Sequence, residues 1–297
     1  MLYNFGSINL DHVYRVPHLV RPGETLASHE HRVGLGGKGA NQSLALARAG
    51  GEVCHWGQIN GQDGWVRDML ADAGVGVSGV TDVEGPTGHA IIQVDDAAEN
   101  AILLFPGANH GFRRADLAAL IDAAVPGDWL LIQNETSALD DAIVLAHQAG
   151  MRIAFNPAPM SDAVLELPLE HCDLLFVNHG EAAWLAGLDQ AADAPALLDA
   201  LAQRLPETQT VLTLGADGAW FQHGETRHFQ PAQRVKAVDT TAAGDTFIGY
   251  YLAALQDGAQ APACLVLATA AAAIGVQRQG AAASIPNRAE VDASLAG

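Results

Sequence analysis

Four short apolar runs, near residues 129–133, 152–156, 173–177 and 209–214, are separated by segments whose apolar residues recur at helical spacing. Successive strands joined through helices run parallel, so this alternation predicts an α/β fold built on a mainly parallel sheet. A chain of 297 residues that is 49% hydrophobic can bury such a core, as one large α/β domain or as a domain with an appendage. Each run gives way to polar residues: Asn134-Glu135, Asn156-Pro157, Asn178-His179-Gly180-Glu181 and Gly215-Ala216-Asp217-Gly218. Open α/β sheets meet their ligands at the carboxyl ends of their strands, so the clustering says more than any one residue.

Elsewhere the period changes. Residues 2–8 read as a short buried strand ending in Gly6-Ser7-Ile8-Asn9-Leu10-Asp11, where Asn9 and Asp11 are either ligand contacts or ordinary turn residues. Between 86 and 109 the alternation has period two, interrupted by a turn over 95–100, which predicts a hairpin; 218–229 reads as another. With strand-like pieces in 12–33, the first hairpin predicts a small separate sheet, a lid on the main domain. An edge hairpin on the main sheet is the alternative.

Two junctions between loop and helix carry the chemistry. In Val238-Asp239-Thr240-Thr241-Ala242-Ala243-Gly244-Asp245-Thr246-Phe247 small residues precede an apolar helical pattern. First-turn N–H groups lack internal partners and sit at the positive end of the helix dipole, so this turn suits phosphate oxygens. Asp245 would repel such an anion, but it suits a base that takes a proton from an attacking hydroxyl; as a plain helix cap it would need neither role. At the other junction, Gly34-Leu35-Gly36-Gly37-Lys38-Gly39-Ala40-Asn41-Gln42 leads into a helix over 43–49. It fails the P-loop pattern, because Gly39 follows the Lys and Arg32 stands where the first Gly belongs. Close backbone approach and the Asn41 carboxamide favour a sugar hydroxyl here over a phosphate. Residues 57–64 read as a polar turn before a helix near 65–73, and an Ala-rich helix follows at 262–277.

Charge excludes other classes. A net charge of −19, with Lys38 and Lys236 the only lysines, argues against nucleic acid or an anionic membrane surface as partner. Cys54, Cys172 and Cys264 are far apart and odd in number, which fits buried thiols in a reducing compartment. With no signal-like or membrane-length apolar segment, the cytoplasm is the expected location.

Over nearly its whole length the sequence resembles the ribokinase-like carbohydrate kinases, the phosphofructokinase-B family. Gly36-Gly37-Lys38-Gly39-Ala40-Asn41-Gln42 resembles its N-terminal motif and residues 239–247 its C-terminal one. Gly6-Ser7-Ile8-Asn9-Leu10-Asp11-His12, Pro22-Gly23-Glu24-Thr25-Leu26, Glu99-Asn100 and Gly107-Ala108-Asn109 resemble the branch that phosphorylates D-ribose at its primary hydroxyl. The resemblance implies a three-layer α/β/α sandwich with a small β-sheet lid, one domain over 1–297 whose lid comes from about 12–33 and 86–109. It implies ATP as phosphoryl donor, with Mg²⁺ and K⁺. Asn9, Asp11, Gly37, Lys38, Gly39, Asn41 and Glu135 would face the sugar. Asp245 would be the base, with Ala242, Ala243 and Gly244 forming the anion hole. Asn178, Glu181, Thr213, Gly215, Asp217, Gly218 and Thr269, with Gly244, would hold ATP, and Glu181 would stand in the Mg²⁺ shell. Asp239, Thr241, Gly275, Arg278, Gly280 and Ser284 would surround a monovalent cation. A homodimer through the lid is implied as well. Fructose, deoxyribose or a nucleoside such as adenosine are alternative acceptors, the last with Tyr14 or Phe105 stacking on the base; a non-catalytic sugar sensor is a further alternative.

Overall fold

The computed structural model describes residues 1–97 and 99–296. Its strands are β1 (Leu2–Phe5), β2 (Asn9–Arg15), β3 (Glu30–Gly36), β4 (Val53–Asn60), β5 (Gly76–Val83), β6 (Gly88–Val94), β7 (Asn100–Phe105), β8 (Trp129–Gln133), β9 (Arg152–Asn156), β10 (Leu174–Asn178), β11 (Gln209–Thr213), β12 (Gly218–His223) and β13 (Thr226–Pro231). Its helices are α1 (Lys38–Arg48), α2 (Trp65–Asp72), α3 (Arg114–Ile121), α4 (Leu139–Gln148), α5 (His179–Ala186), α6 (Ala194–Arg204), α7 (Ala243–Gln256), α8 (Ala261–Gly275) and α9 (Arg288–Ala296).

A nine-stranded sheet runs in the order β13-β12-β11-β10-β9-β8-β1-β4-β5. From β11 to β5 every neighbour is parallel, and the β12–β13 hairpin closes one edge antiparallel. Alternation sends successive residues to opposite faces. Leu131, Leu174, Phe176 and Val211 pack with α1, α2, α7, α8 and α9. Leu130, Ile132, Leu175, Val177 and Leu212 pack with α3, α4, α5 and α6. The sheet is covered on both faces, which is why its strands read as unbroken apolar runs.

The lid is a second sheet in the order β3-β2-β6-β7, so the period-two hairpin is not an edge of the main sheet. Its strands reach Asn9 and Gly36, beyond the expected limits of 12 and 33. The turn expected over 95–100 includes Ala98, which lies outside the described residues. Several boundaries differ from the sequence reading for local reasons. β1 stops at Phe5 rather than at residue 8, because Gly6, Ser7 and Ile8 cross from the main sheet to the lid. Gly57–Asn60 form no turn but the end of β4, paired with residues 80–83. α1 starts at Lys38, not at 43: Gly37, at φ 88°, turns the chain straight out of β3 into the helix.

Candidate active site

Three chain segments converge where α1 and α7 lie side by side over the carboxyl ends of β8, β9 and β10. The first is the start of α1. Gly37 takes a left-handed conformation that other residues adopt at a cost, and a Cβ on Gly39 would lie 2.5 Å from the Gly6 backbone. The two glycines let α1 begin against the Gly6-Ser7 crossing. Its first amides are all engaged: Lys38 N donates to Glu135 Oε2 (3.0 Å), Gly39 N to Ser7 Oγ (3.3 Å), Ala40 N to Ser7 O (2.9 Å) and Asn41 N to Gly37 O (3.0 Å). Ser7 Oγ donates in turn to Glu135 Oε2 at 2.5 Å. One oxygen of Glu135 is thus committed to the helix start, and Oε1 lies 3.9 Å from Lys38 Nζ.

The second segment is the start of α7. Ala242 precedes it at φ 59°, a left-handed conformation unusual for a residue with a Cβ, and no side chain caps the helix. Ala243 N donates to Thr240 O (3.2 Å) and Thr246 N to Ala242 O (2.8 Å), whereas Gly244 N and Asp245 N donate to no described residue. Unengaged amides at a helix start are suited to binding an anion.

Asp245 is 8% exposed and held from both sides. Gln42 Nε2 donates to its Oδ1 (2.9 Å) and Asn41 Nδ2 to its Oδ2 (3.1 Å). Burial raises its pKa, and Lys38, Gln42 and Asn41 oppose the rise without cancelling it. A carboxylate so placed is a better base than an exposed one. Burial alone would depress the Lys38 ammonium, yet the carboxylates of Asp245, Glu135 and Glu181 hold its pKa above the ordinary lysine value.

Gln42 has no assigned role in the sequence reading, although it stands in the quoted motif. With α1 starting at Lys38, Gln42 falls one helical turn on, on the same face. It is wholly buried and sits in a polar chain: Gln133 Nε2 donates to its Oε1 (2.8 Å) and to Asn4 Oδ1 (3.0 Å), and Asn4 Nδ2 donates to Gly39 O and Ser43 Oγ (both 2.8 Å).

The third segment is the start of α5, where Asn178 and Glu181 cap each other, each backbone N–H donating to the other's side chain at 2.9 Å. Lys38, Asn178, Glu181, Thr213 and the 242–245 turn line one cleft of about 220 Å³. It brings the expected phosphate and base residues together.

The expected sugar residues stand at its lid side. Asn9 is 4% exposed, and its Oδ1 accepts from Asn109 Nδ2 (2.8 Å), which makes Asn109 a second residue without a role in the sequence reading. Burial and the Glu135 charge push Asp11 up to about 6. Asn41 Oδ1 is buried and has no protein donor, so it is available to a ligand hydroxyl.

Some expected contacts fall elsewhere. Register pairs Leu10 with His89 and His89 with Phe105, and Tyr14 with His31. Alternation therefore puts Tyr14 and Phe105 on the lid face opposite Asn9 and Asp11, where neither can stack on a base held by those residues. The Thr269 hydroxyl donates to Leu265 O (2.8 Å) and Val266 O (3.1 Å), so its one proton is engaged within α8 and it can meet an adenine only as an acceptor or through its methyl group. Gly215 and Asp217 lie on a short turn after β11, outside the cleft lining.

Asp239 ties two loops. Its Oδ1 accepts from Thr241 N (2.9 Å) and Thr241 Oγ1 (2.6 Å), and its Oδ2 from Gly280 N (2.9 Å). Burial would raise its pKa, but these donors outweigh burial and lower it. Arg278 pairs with Glu290, so its side chain points to α9 and only its carbonyl is free for a cation. The Thr246 hydroxyl is buried without a partner, close to Gly275, which also lies near the Ser284 carbonyl. An orphaned hydroxyl with a backbone carbonyl in the same spot fits a weakly hydrated monovalent cation.

The model of the pfkB family of carbohydrate kinases matches residues 1–288. A Haemophilus influenzae ribokinase is 36% identical over 295 residues, covering 96% of this chain and 95% of the relative. A Schizosaccharomyces pombe ribokinase is 38% identical over 316 residues, covering 98% and 96%. Among solved structures, an Arabidopsis thaliana ribokinase complexed with ribose and ATP superposes with a TM-score of 0.87 at 28% identity, over 99% of this chain and 98% of that one.

Proposed function

The chain belongs to the pfkB family of carbohydrate kinases, and from that premise we propose that it transfers the γ-phosphoryl group of ATP to the primary hydroxyl of D-ribose, giving D-ribose 5-phosphate. The observation that carries this reading is the place of Asp245: its carboxylate lies where the sugar-side residues of α1 meet the two unengaged amides of α7. Phosphoryl transfer depends on in-line placement and on stabilising charge spread over the moving group. Asn9, Asp11 and Asn41 orient the sugar, and Asp245 accepts the proton of its attacking hydroxyl. Gly244 N and Asp245 N, with Lys38, receive the charge on the γ-phosphoryl oxygens. Glu181 and Asn178 would hold the Mg²⁺–phosphate shell, and the metal supplies neutralisation of the triphosphate. Carbonyls around Asp239, with the Thr246 hydroxyl, would hold K⁺ beside the α7 turn. The lid shields the transfer from water, which competes as acceptor.

A panel of ribose, deoxyribose, fructose and adenosine, each with ATP and Mg²⁺ and read as ADP released, tests the reading. Best turnover on ribose is the expected result; a better acceptor elsewhere in the panel defeats it, and sugar binding without ADP release would mark a sensor. The lid also bears on assembly. Val33, Ile91, Leu103 and Phe105 share its outer face and are 38–68% exposed. A second subunit's lid would cover that apolar face, and light scattering that finds a monomer at micromolar concentration would contradict the dimer.

A further inference from the structure

A second cleft, of about 490 Å³, lies at the opposite end of the strands from Asp245 and shares no residue with the catalytic cleft. It is framed by the β12–β13 hairpin, the last turns of α7 and the start of α8, and it is in the size range of small-molecule sites. In a chain of net charge −19, no Asp, Glu, Lys or Arg lines it.

Its floor is Tyr251. That residue is 1% exposed and lines the cleft, and its hydroxyl makes no hydrogen bond to any described residue. The ring is fixed edge-on against Phe176, with centroids 5.3 Å apart and planes at 84°. One wall is aromatic: Phe221 and His228 are direct cross-strand partners with near-parallel rings, 6.3 Å apart at 23°, and both line the cleft. Leu255, Gln209 and Gln260 also line the cleft.

We propose that this cleft is a second binding site, for an uncharged planar heteroaromatic molecule of nucleobase size. The Phe221 and His228 rings pack against the ligand ring, and the Tyr251 hydroxyl, which has no protein partner among the described residues, donates to a ring nitrogen or carbonyl. The two carboxamides serve as donor or acceptor to the ligand edge. An uncharged ligand is favoured, since no carboxylate, ammonium or guanidinium in the lining would compensate a charge taken out of water.

Isothermal titration of the full chain with hypoxanthine, adenine and thymine tests this, with ADP and ribose held saturating so that the catalytic cleft is filled. Heat of binding is read rather than turnover, so the result is independent of the kinase reading. At least one base is expected to bind one-to-one with a Kd below about 1 mM. Tyr251→Phe should weaken it about tenfold or more, and Ala261→Trp, which fills the mouth, should abolish it, both in protein whose melting curve shows a folded state. Cyclohexanol, apolar and non-planar, should not bind. Absence of binding by every base, equal affinity in both variants, binding of cyclohexanol alongside the bases, or displacement of the base by further ADP would each overturn the proposal.

Discussion

The starts of α1 and α7 are built alike and left in opposite states. Each helix enters from a left-handed residue, Gly37 or Ala242, with no side-chain cap, and the two pack side by side with their first turns at the same site. At α1 the protein engages all four first-turn amides, through Ser7, Glu135 and Gly37. At α7 it leaves Gly244 N and Asp245 N open. An anion is drawn to unengaged amides at the positive end of a helix. The filled terminus is therefore suited to mount side chains, Lys38, Asn41 and Gln42, while the open one is suited to receive charge. A glycine-rich turn before a helix is thus not enough to mark a phosphate loop; what matters is whether its amides are already engaged.

The largest effect should come from Asp245, the one residue both helices serve. Asp245→Asn is expected to lower kcat by about 10²–10⁴-fold while the ribose KM stays within a few-fold, because a base acts on the transition state more than on the bound ground state. Near-normal turnover would remove Asp245 from the chemistry.

Next comes the open terminus itself. Gly244→Pro deletes one donor and puts the ring Cδ where its hydrogen pointed, in a helix start that accepts proline: a Cβ there meets nothing within 4 Å, and α6 and α8 already carry Pro195 and Pro262 in their first turns. Loss of an oxyanion donor costs about 10²–10³-fold in rate, so kcat should fall by that much with the melting temperature nearly unchanged. Activity within tenfold of the parent would show that this amide takes no charge and that the contrast between the helices is structural only.

A third change acts from the filled side. Gln42→Leu removes a donor from the Asp245 carboxylate, a bond of the charged kind worth about 1.5–3 kcal/mol, or about 10–100-fold. It also leaves Gln133 and Asn156 short of a partner, so some loss of stability is expected. The distinguishing readout is pH. Burial raises the Asp245 pKa and the Gln42 bond holds it down. Without that bond the pKa rises further, and since the base must be ionised, the acid limb of kcat moves to higher pH. A limb that stays in place while kcat falls would reduce Gln42 to a packing role.

Why Gln42 was hard to see in the sequence is instructive. The strand–helix alternation placed the sheet and the ends of its strands well, because apolar periodicity is local. The α7 turn was equally legible, since Ala242, Ala243 and Gly244 announce a bare backbone. The start of α1 was not: glycines at 34, 36, 37 and 39 suggest a long loop, yet those at 37 and 39 allow helix and crossing to meet without a gap. Placing the helix at 43 hid the shared face of Lys38, Asn41 and Gln42. The Asn9–Asn109 bond joins residues far apart in sequence and left no local signal. Tyr14 and Phe105 failed as stacking candidates because the facing of a lid strand depends on register, which the sequence alone did not fix.

The smallest effect should belong to the cation, which reaches the open terminus only through the backbone. Asp239 holds Thr241 by its amide and hydroxyl and Gly280 by its amide. It thereby fixes the stretch that leads into Ala242 and sets where the Gly244 and Asp245 amides point. A potassium ion among the nearby carbonyls would stiffen the same stretch without touching substrate. Potassium is expected to raise kcat several-fold over sodium at matched ionic strength, with ribose KM little changed, because carbonyl-rich shells suit a large, weakly hydrated ion. Asp239→Ala should lower kcat and remove the difference between the two salts, while calorimetry still detects ribose binding. Thr246→Val should weaken the potassium response alone, since it removes an orphaned hydroxyl and retains the side-chain volume. Equal rates in KCl, NaCl and a large organic cation salt would mean that the Asp239 hydrogen bonds suffice to aim the α7 amides.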